Sequence, residues 1–229
     1  MSDSRQIEKQ DEQSVWTATA TAALAALLLI QFAIAYWIGT SGYLANEAQG
    51  PMPPIAITAL APVALFLIAY GSLPAFRDFV LAQDLRTLTM LQHWRVIGFA
   101  FLPIYSFGLL PGLFAWPAGL GDLAIGLVAP FVVLRMDRDP QFQGTAGFLR
   151  FHLLGLLDFA VAVAAAALSA GAFPGLIADG ITSAQMDVWP LNIFPSLFVP
   201  AFIILHLVVI LKIAHIRREI SATDSAAPA

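Results

Sequence analysis

The sequence contains no cysteine, which removes disulfides, thiolate metal sites, iron–sulfur ligation and cysteine nucleophiles together. Charge is scarce as well. Asp, Glu, Lys and Arg make up 11% of the 229 residues, against about 25% in an average soluble domain. Basic excess is absent too: the net charge is −4, with the acids largely in tails and connections, so nucleic acid is not an expected partner and no anionic-lipid patch is expected. The first residues set Arg5 and Lys9 among Asp3, Glu8, Asp11 and Glu12, without the short apolar run and small-residue cleavage site of a signal peptide. Residues 1–14 therefore read as a cytosolic tail.

What is present is apolar. The chain is 59% hydrophobic with a mean hydropathy of +0.79, more than a water-soluble core can use. Crossing a hydrocarbon layer takes about 20 apolar residues, and six segments qualify: Val15–Thr40, Ile55–Phe76, Thr89–Leu110, Leu113–Leu134, Phe148–Ala170 and Leu191–Ile213. The predicted fold class is all-α, a polytopic membrane bundle of six helices occupying residues 15–213. Pro62, Pro103, Pro130, Pro195 and Pro200 fall inside these segments, where neighbouring groups can satisfy the carbonyls they free. They predict kinks and not ends. Residues 214–229 read as a disordered cytosolic tail, since their end is small and polar.

Lys and Arg accumulate on the cytoplasmic side of membrane proteins. Ten of the eleven lie in the N-terminal tail (Arg5, Lys9), the second connection (Arg77, Arg86), the fourth (Arg135, Arg138, Arg150) and the C-terminal end (Lys212, Arg217, Arg218). The alternate connections carry none. Both termini are thus expected in the cytoplasm, with the lipid bilayer as the main partner and a second copy or another membrane protein as a further one. Trp16, Trp37, Trp116 and Trp189 fall near predicted span ends, the level amphipathic rings prefer.

Arg95 is the basic residue left over, about two turns inside the third span, where an ionisable group needs a partner. Asp122 and Asp158 are the obvious ones. The helical face around Asp122 carries Ala118, Gly119 and Gly126, and that around Asp158 carries Gly155, Ala162, Ala165, Ala166 and Ser169. Small residues at this spacing let backbones approach, so Gly98, Gly119, Gly121, Gly126 and Gly155 are read as helix-packing glycines and each acid as lying on a seam. One guanidinium against two carboxylates leaves an uncompensated negative charge. The site then carries a proton, holds a cation, or draws a proton from His206. Asn192 joins His206 on one face of the last span, with Ser196, Val199 and Ile203 between them. The bland alternative is that Arg95 snorkels to the interface and the acids brace helices.

His93, His152 and His206 come from three spans and fall in the cytoplasmic half, so a haem or metal held by two imidazoles is an alternative. Helical angles weaken it, because His93 and Arg95 lie about 200° apart and His152 and Asp158 about 120° apart. His215 lies at the cytosolic mouth. Gly119-Leu120-Gly121-Asp122 matches the G-x-G-D motif of intramembrane aspartyl proteases, in which two aspartates share a proton. The partner aspartate of those enzymes comes from an earlier span, whereas Asp158 follows.

The wider pattern His93-Trp94-Arg95-x-x-Gly98, then Phe114-Ala115-x-Pro117-Ala118-Gly119-x-Gly121-Asp122, then Gly155-Leu156-Leu157-Asp158-Phe159 with Pro195, Pro200 and His206 resembles a group of uncharacterised small multi-pass bacterial membrane proteins. The resemblance covers spans three to six. It implies the bacterial cytoplasmic (inner) membrane and no activity.

No paired nucleophile and base, phosphate loop or metal spacing points to an enzyme. The expectation is therefore an intramembrane polar site of Arg95, Asp122, Asp158, Asn192 and His206 that binds or translocates a proton, an ion or a small polar molecule, with no cofactor. A haem or quinone redox protein, a G-x-G-D protease and a non-catalytic accessory subunit are the alternatives.

Overall fold

The computed structural model describes residues 22, 24–46, 54–170 and 180–226, among which every regular element is helical. The expected tail 1–14, the start of the first span and part of the last long connection lie outside these residues. Four helices are long and apolar enough to cross a membrane: α1 (Leu24–Ser41), α7 (Gly112–Arg138), α8 (Ala146–Leu168) and the run Phe194–Arg218. A fifth arises if α3 (Pro54–Ser72) and α4 (Pro74–Ala82), bent by 108°, are taken as one. Short α2 (Tyr43–Asn46) follows α1, while α5 (Leu85–Leu91) and α6 (Phe101–Ser106) flank a 3₁₀ helix, Gln92–Ala100. A π turn over Phe194–Phe198 leads into α9, Val199–Ala226.

Three expectations change. The second apolar segment ends at Ser72 and not Phe76, because Pro74 pushes Leu73 into extended backbone (φ −113°, ψ 103°) and starts a new helix at its own N-terminus. The third segment is not one α-helix but three runs. The C-terminal stretch expected to be disordered is helical through Ala226, as an extension of α9.

The interior prolines do not end their helices. Pro62 lies within α3, and Pro117 and Pro130 within α7. A proline at position i leaves the carbonyl at i−4 without its helical donor, and side chains take up three such carbonyls. Gln31 Nε2 donates to Ser196 O (2.6 Å) below Pro200, His93 Nδ1 to Gly126 O (2.9 Å) below Pro130, and Arg77 Nε to Tyr70 O (3.1 Å) below Pro74. Each bond also ties two segments together, since the freed carbonyl in lipid has no water to turn to.

At one end of the bundle Arg86 pairs with Asp137, Lys212 Nζ donates to Gln83 O (2.6 Å) and Arg217 Nη2 to Gly144 O (2.9 Å). The basic connections therefore meet on one side. An apolar cluster including Leu85, Val132, Phe148, Phe151 and Val209 fills that end, and a second, with Phe101, Phe114, Ala118 and Met186, fills the other. Between them, in the sequence of each participating helix, lies a polar layer.

Candidate functional site

The layer is organised by the 3₁₀ helix. At three residues per turn, side chains at i and i+3 lie in line, so Gln92, Arg95 and Gly98 form one row and are the buried residues of that segment. The row faces α7, α8 and α9, with Arg95 1% exposed. An α-helix would have rotated these positions out of register.

The Arg95 guanidinium is bonded on every nitrogen. Nε donates to Asp122 Oδ1 (2.8 Å) on α7, Nη2 donates to Asp158 Oδ2 on α8, and Nη1 donates to Gly155 O (3.2 Å) and to His206 Nε2 (3.1 Å) on α9. The Phe159 ring lies under it, 3.9 Å from its central carbon. Arg95, Asp122, Asp158 and His206 thus converge, with three elements held by one cation. The arginine side chain is wholly buried, whereas those of Asp122 and Asp158 keep 15% and 13% of their surface exposed. Each acid gives Arg95 one oxygen. Oδ2 of Asp122 and Oδ1 of Asp158 accept no hydrogen bond from the described residues.

The glycines explain how the acids fit. A Cβ on Gly98 would run into the Asp122 carboxyl, one on Gly121 into Asp158 Oδ1, and one on Gly155 into the His206 ring. These three make room for side chains of the centre. Gly126 and Gly119 lie close against the Arg95 segment: a Cβ at Gly126 would sit 2.7 Å from Val96 N, and one at Gly119 3.1 Å from Leu102 and 3.4 Å from Gly98 O.

One expected member sits elsewhere. Asn192 is about 20 Å along the chain's helical path from His206, where its Nδ2 donates to Ala35 O (2.7 Å) on α1 and Gly39 leaves space for its amide. With Ser196, which shares a hydrogen bond with Thr58 Oγ1 (3.1 Å), it joins α1 and α3 to the last helix. His93, weighed above as a haem or metal ligand, also reaches α7, where its Nδ1 donates to Gly126 O.

His152 was set apart from the centre by its angle to Asp158, yet it belongs to the same network at one remove. Its Nδ1 lies 2.9 Å from His206 Nδ1 and its Nε2 3.4 Å from Thr89 Oγ1, while that hydroxyl donates to Leu85 O (2.7 Å). His206 bridges the angular gap. Thr89, His152 and His206 are all fully buried. Gln92, one turn from Arg95, is also fully buried, and neither atom of its amide has a partner among the described residues.

Outside the apolar spans, Asp84 caps α5 by accepting from Thr87 N (2.7 Å) and Thr87 Oγ1 (2.7 Å), and these bonds hold its carboxyl below the usual range. Asp187, on the short 3₁₀ turn Ser183–Asp187, is pushed up to about 6 by burial.

Residues 52–214 match the model of a protein family described as a domain of unknown function, DUF8737. The match takes in α3 to α9 up to residue 214, and with them every residue of the Arg95 centre. Neither a curated protein nor a solved structure matches the chain.

Proposed function

The chain belongs to the DUF8737 family, whose description carries no activity, and from the site itself we propose that it is a membrane protein that binds, and passes across the bilayer, a proton at the Arg95–Asp122–Asp158 centre. One observation carries this reading. A single buried guanidinium holds two carboxylates, each with one oxygen that accepts no hydrogen bond from the described residues and a side chain that is partly exposed, so with both ionised the trio carries one negative charge more than its cation balances. A buried charge is costly without compensation. A proton on a free carboxyl oxygen cancels it, and losing that proton restores it.

The rest of the reading is architectural. Six spans with both termini in the cytoplasm fit the bundle if the run Leu85–Ser106, about 37 Å long by its helical rises, is the third span and α3 the second. The meeting of Arg86, Lys212 and Arg217 at one end favours that end as cytoplasmic, and the resemblance noted above implies a bacterial inner membrane. Other chemistry is less well served. Asp122 and Asp158 are both spent on the guanidinium, where a protease needs them to share a proton and activate water. His152 and His206 are bonded to each other, and His93 to Gly126, so a bis-imidazole haem would have to break these contacts.

The test is proton uptake by the full chain in lipid vesicles loaded with a pH-sensitive dye, driven by a potassium diffusion potential. Infrared difference spectra between two pH values would accompany it. Flux and a protonated-carboxyl band are expected in the parent, both lost in Asp158→Asn while the variant stays folded. A parent that shows neither flux nor band overturns the proposal.

A further inference from the structure

The hydrogen bonds of the centre have directions that can be assigned without placing any proton by eye. Arginine has five N–H donors and no acceptor. His206 Nε2, 3.1 Å from Arg95 Nη1, must therefore be bare, and a neutral imidazole with a bare Nε2 carries its proton on Nδ1. That proton points at His152 Nδ1, 2.9 Å away, which must in turn be bare. His152 then carries its proton on Nε2 and donates to Thr89 Oγ1, whose own hydrogen goes to Leu85 O. All four ring nitrogens are accounted for, in one direction, from the arginine outward.

Such a chain has no room for another proton. Placed on His206 Nε2 it would face the guanidinium donor to donor; placed on His152 Nδ1 it would face the proton of His206. Resting on the reading of the centre as a proton site, we propose that the His152–His206 pair is a second proton-binding site, open only when Arg95 withdraws from His206. Bond and proton exclude each other. While Arg95 is bonded, the exchangeable proton is confined to the free oxygens of Asp122 and Asp158; once it leaves, His206 Nε2 becomes an open acceptor. The charged group bonded to the pair is Arg95 from the 3₁₀ helix, and Asp122 from α7 and Asp158 from α8 reach it through that guanidinium. Phe148, Phe151 and Phe159 supply the rest of the wall.

The segment that carries Arg95 supplies the movement. Runs of 3₁₀ helix beyond three or four residues are uncommon, because their hydrogen-bond geometry is poorer than that of an α-helix. Gln92–Ala100 has nine. Relaxing to α would turn Arg95 by about 80° relative to Leu91 and draw it back by about 2 Å, enough to take Nη1 off His206. The bonds of Arg95 to three helices are what hold the tighter form.

Nitrogen NMR of the full chain in lipid nanodiscs, with ¹⁵N-labelled histidine at neutral pH, reads the assignment directly. His152→Gln and His206→Gln identify the signals. In the parent, His206 is expected to be protonated on Nδ1 alone and His152 on Nε2 alone. In Arg95→Met, the pair should lose this single pattern and show a ring protonated on both nitrogens. Where that variant fails to fold, Gly155→Ala pushes the His206 ring aside, keeps the guanidinium and both acids, and should give the same change. Opposite tautomers in the parent, or the parent pattern persisting in the variant, would sink the interlock. Loss of vesicle flux bears on the proton function alone, so the two readings fail separately.

Discussion

Two arginines in this protein pair with aspartate in opposite surroundings. Arg86 and Asp137 form a two-pronged pair, Nε to Oδ1 at 2.8 Å and Nη2 to Oδ2 at 3.0 Å, with side chains 57% and 42% exposed. Arg95 splits its donors between two acids and is wholly buried. The exposed pair is matched one to one and has the better geometry, yet water already solvates both ends, so little depends on it. The buried cation is outnumbered. Its contacts matter because nothing else nearby can replace them, and because the imbalance leaves the centre something to bind.

Removing the cation should therefore give the largest effect. Arg95→Met leaves two acids and a histidine without their common partner, and breaking a buried ion pair from one side costs about 3–5 kcal/mol. Reduced yield and a strongly lowered melting temperature in detergent are the expected outcome. A variant as stable as the parent would mean that the acids are neutral and the arginine is no counter-ion.

Glycine substitutions sharpen the comparison without touching a charge. Gly121→Ala drives a Cβ into the Asp158 carboxylate, and forcing atoms into a packed site costs about 1–3 kcal/mol. Gly71→Ala meets nothing within 4 Å and should change stability by less than about 1 kcal/mol, upward where helix propensity decides. Melting curves of the two variants side by side check the sign as well as the size. Equal effects would mean that Gly121 is not held open for the acid.

Much of this centre was legible in the sequence, and for a simple reason. Charges are so rare in the apolar segments that Arg95, Asp122 and Asp158 had few other partners, and the glycines and alanines beside the acids marked the buried faces. The packing role read into Gly98, Gly121 and Gly155 was right about closeness but missed what comes close, since a side chain from another helix leaves no trace in local spacing. His152 escaped for a related reason: an angle measured on one helix cannot show a bridge contributed by another. Asn192 was misplaced because a shared helical face says nothing about depth. The 3₁₀ twist of Gln92–Ala100 has no marker in composition either.

Asp187 supplies an intermediate case, a carboxyl with no ion pair among the described residues. Its folded value of about 6 lies above the ordinary carboxylate value of 3.8, so the folded state holds the proton more tightly and stability falls as pH rises from about 4 through 6. Asp187→Asn should flatten that slope and raise the melting temperature at pH 7 more than at pH 4. Identical pH profiles would show that the turn opens to water. Asp84→Ala, which removes the cap of α5, should cost about 1 kcal/mol; because its folded value is depressed, the parent should lose this advantage as pH falls below the usual carboxylate range.

The smallest effect is expected where the pair looks best. Arg86 attracts Asp137 only while that carboxyl is ionised, so whatever stability the pair contributes is lost in acid. Both groups are exposed, and ions screen them. Arg86→Ala should leave the melting temperature nearly unchanged at moderate salt and lower it only slightly at low ionic strength. Vesicle flux should be unaffected, since neither residue reaches the polar layer. A large, salt-independent loss would instead mean that the connection from α4 to α5 is locked to the end of α7 by this bond, and that this end of the bundle takes part in holding the third segment in its tight twist.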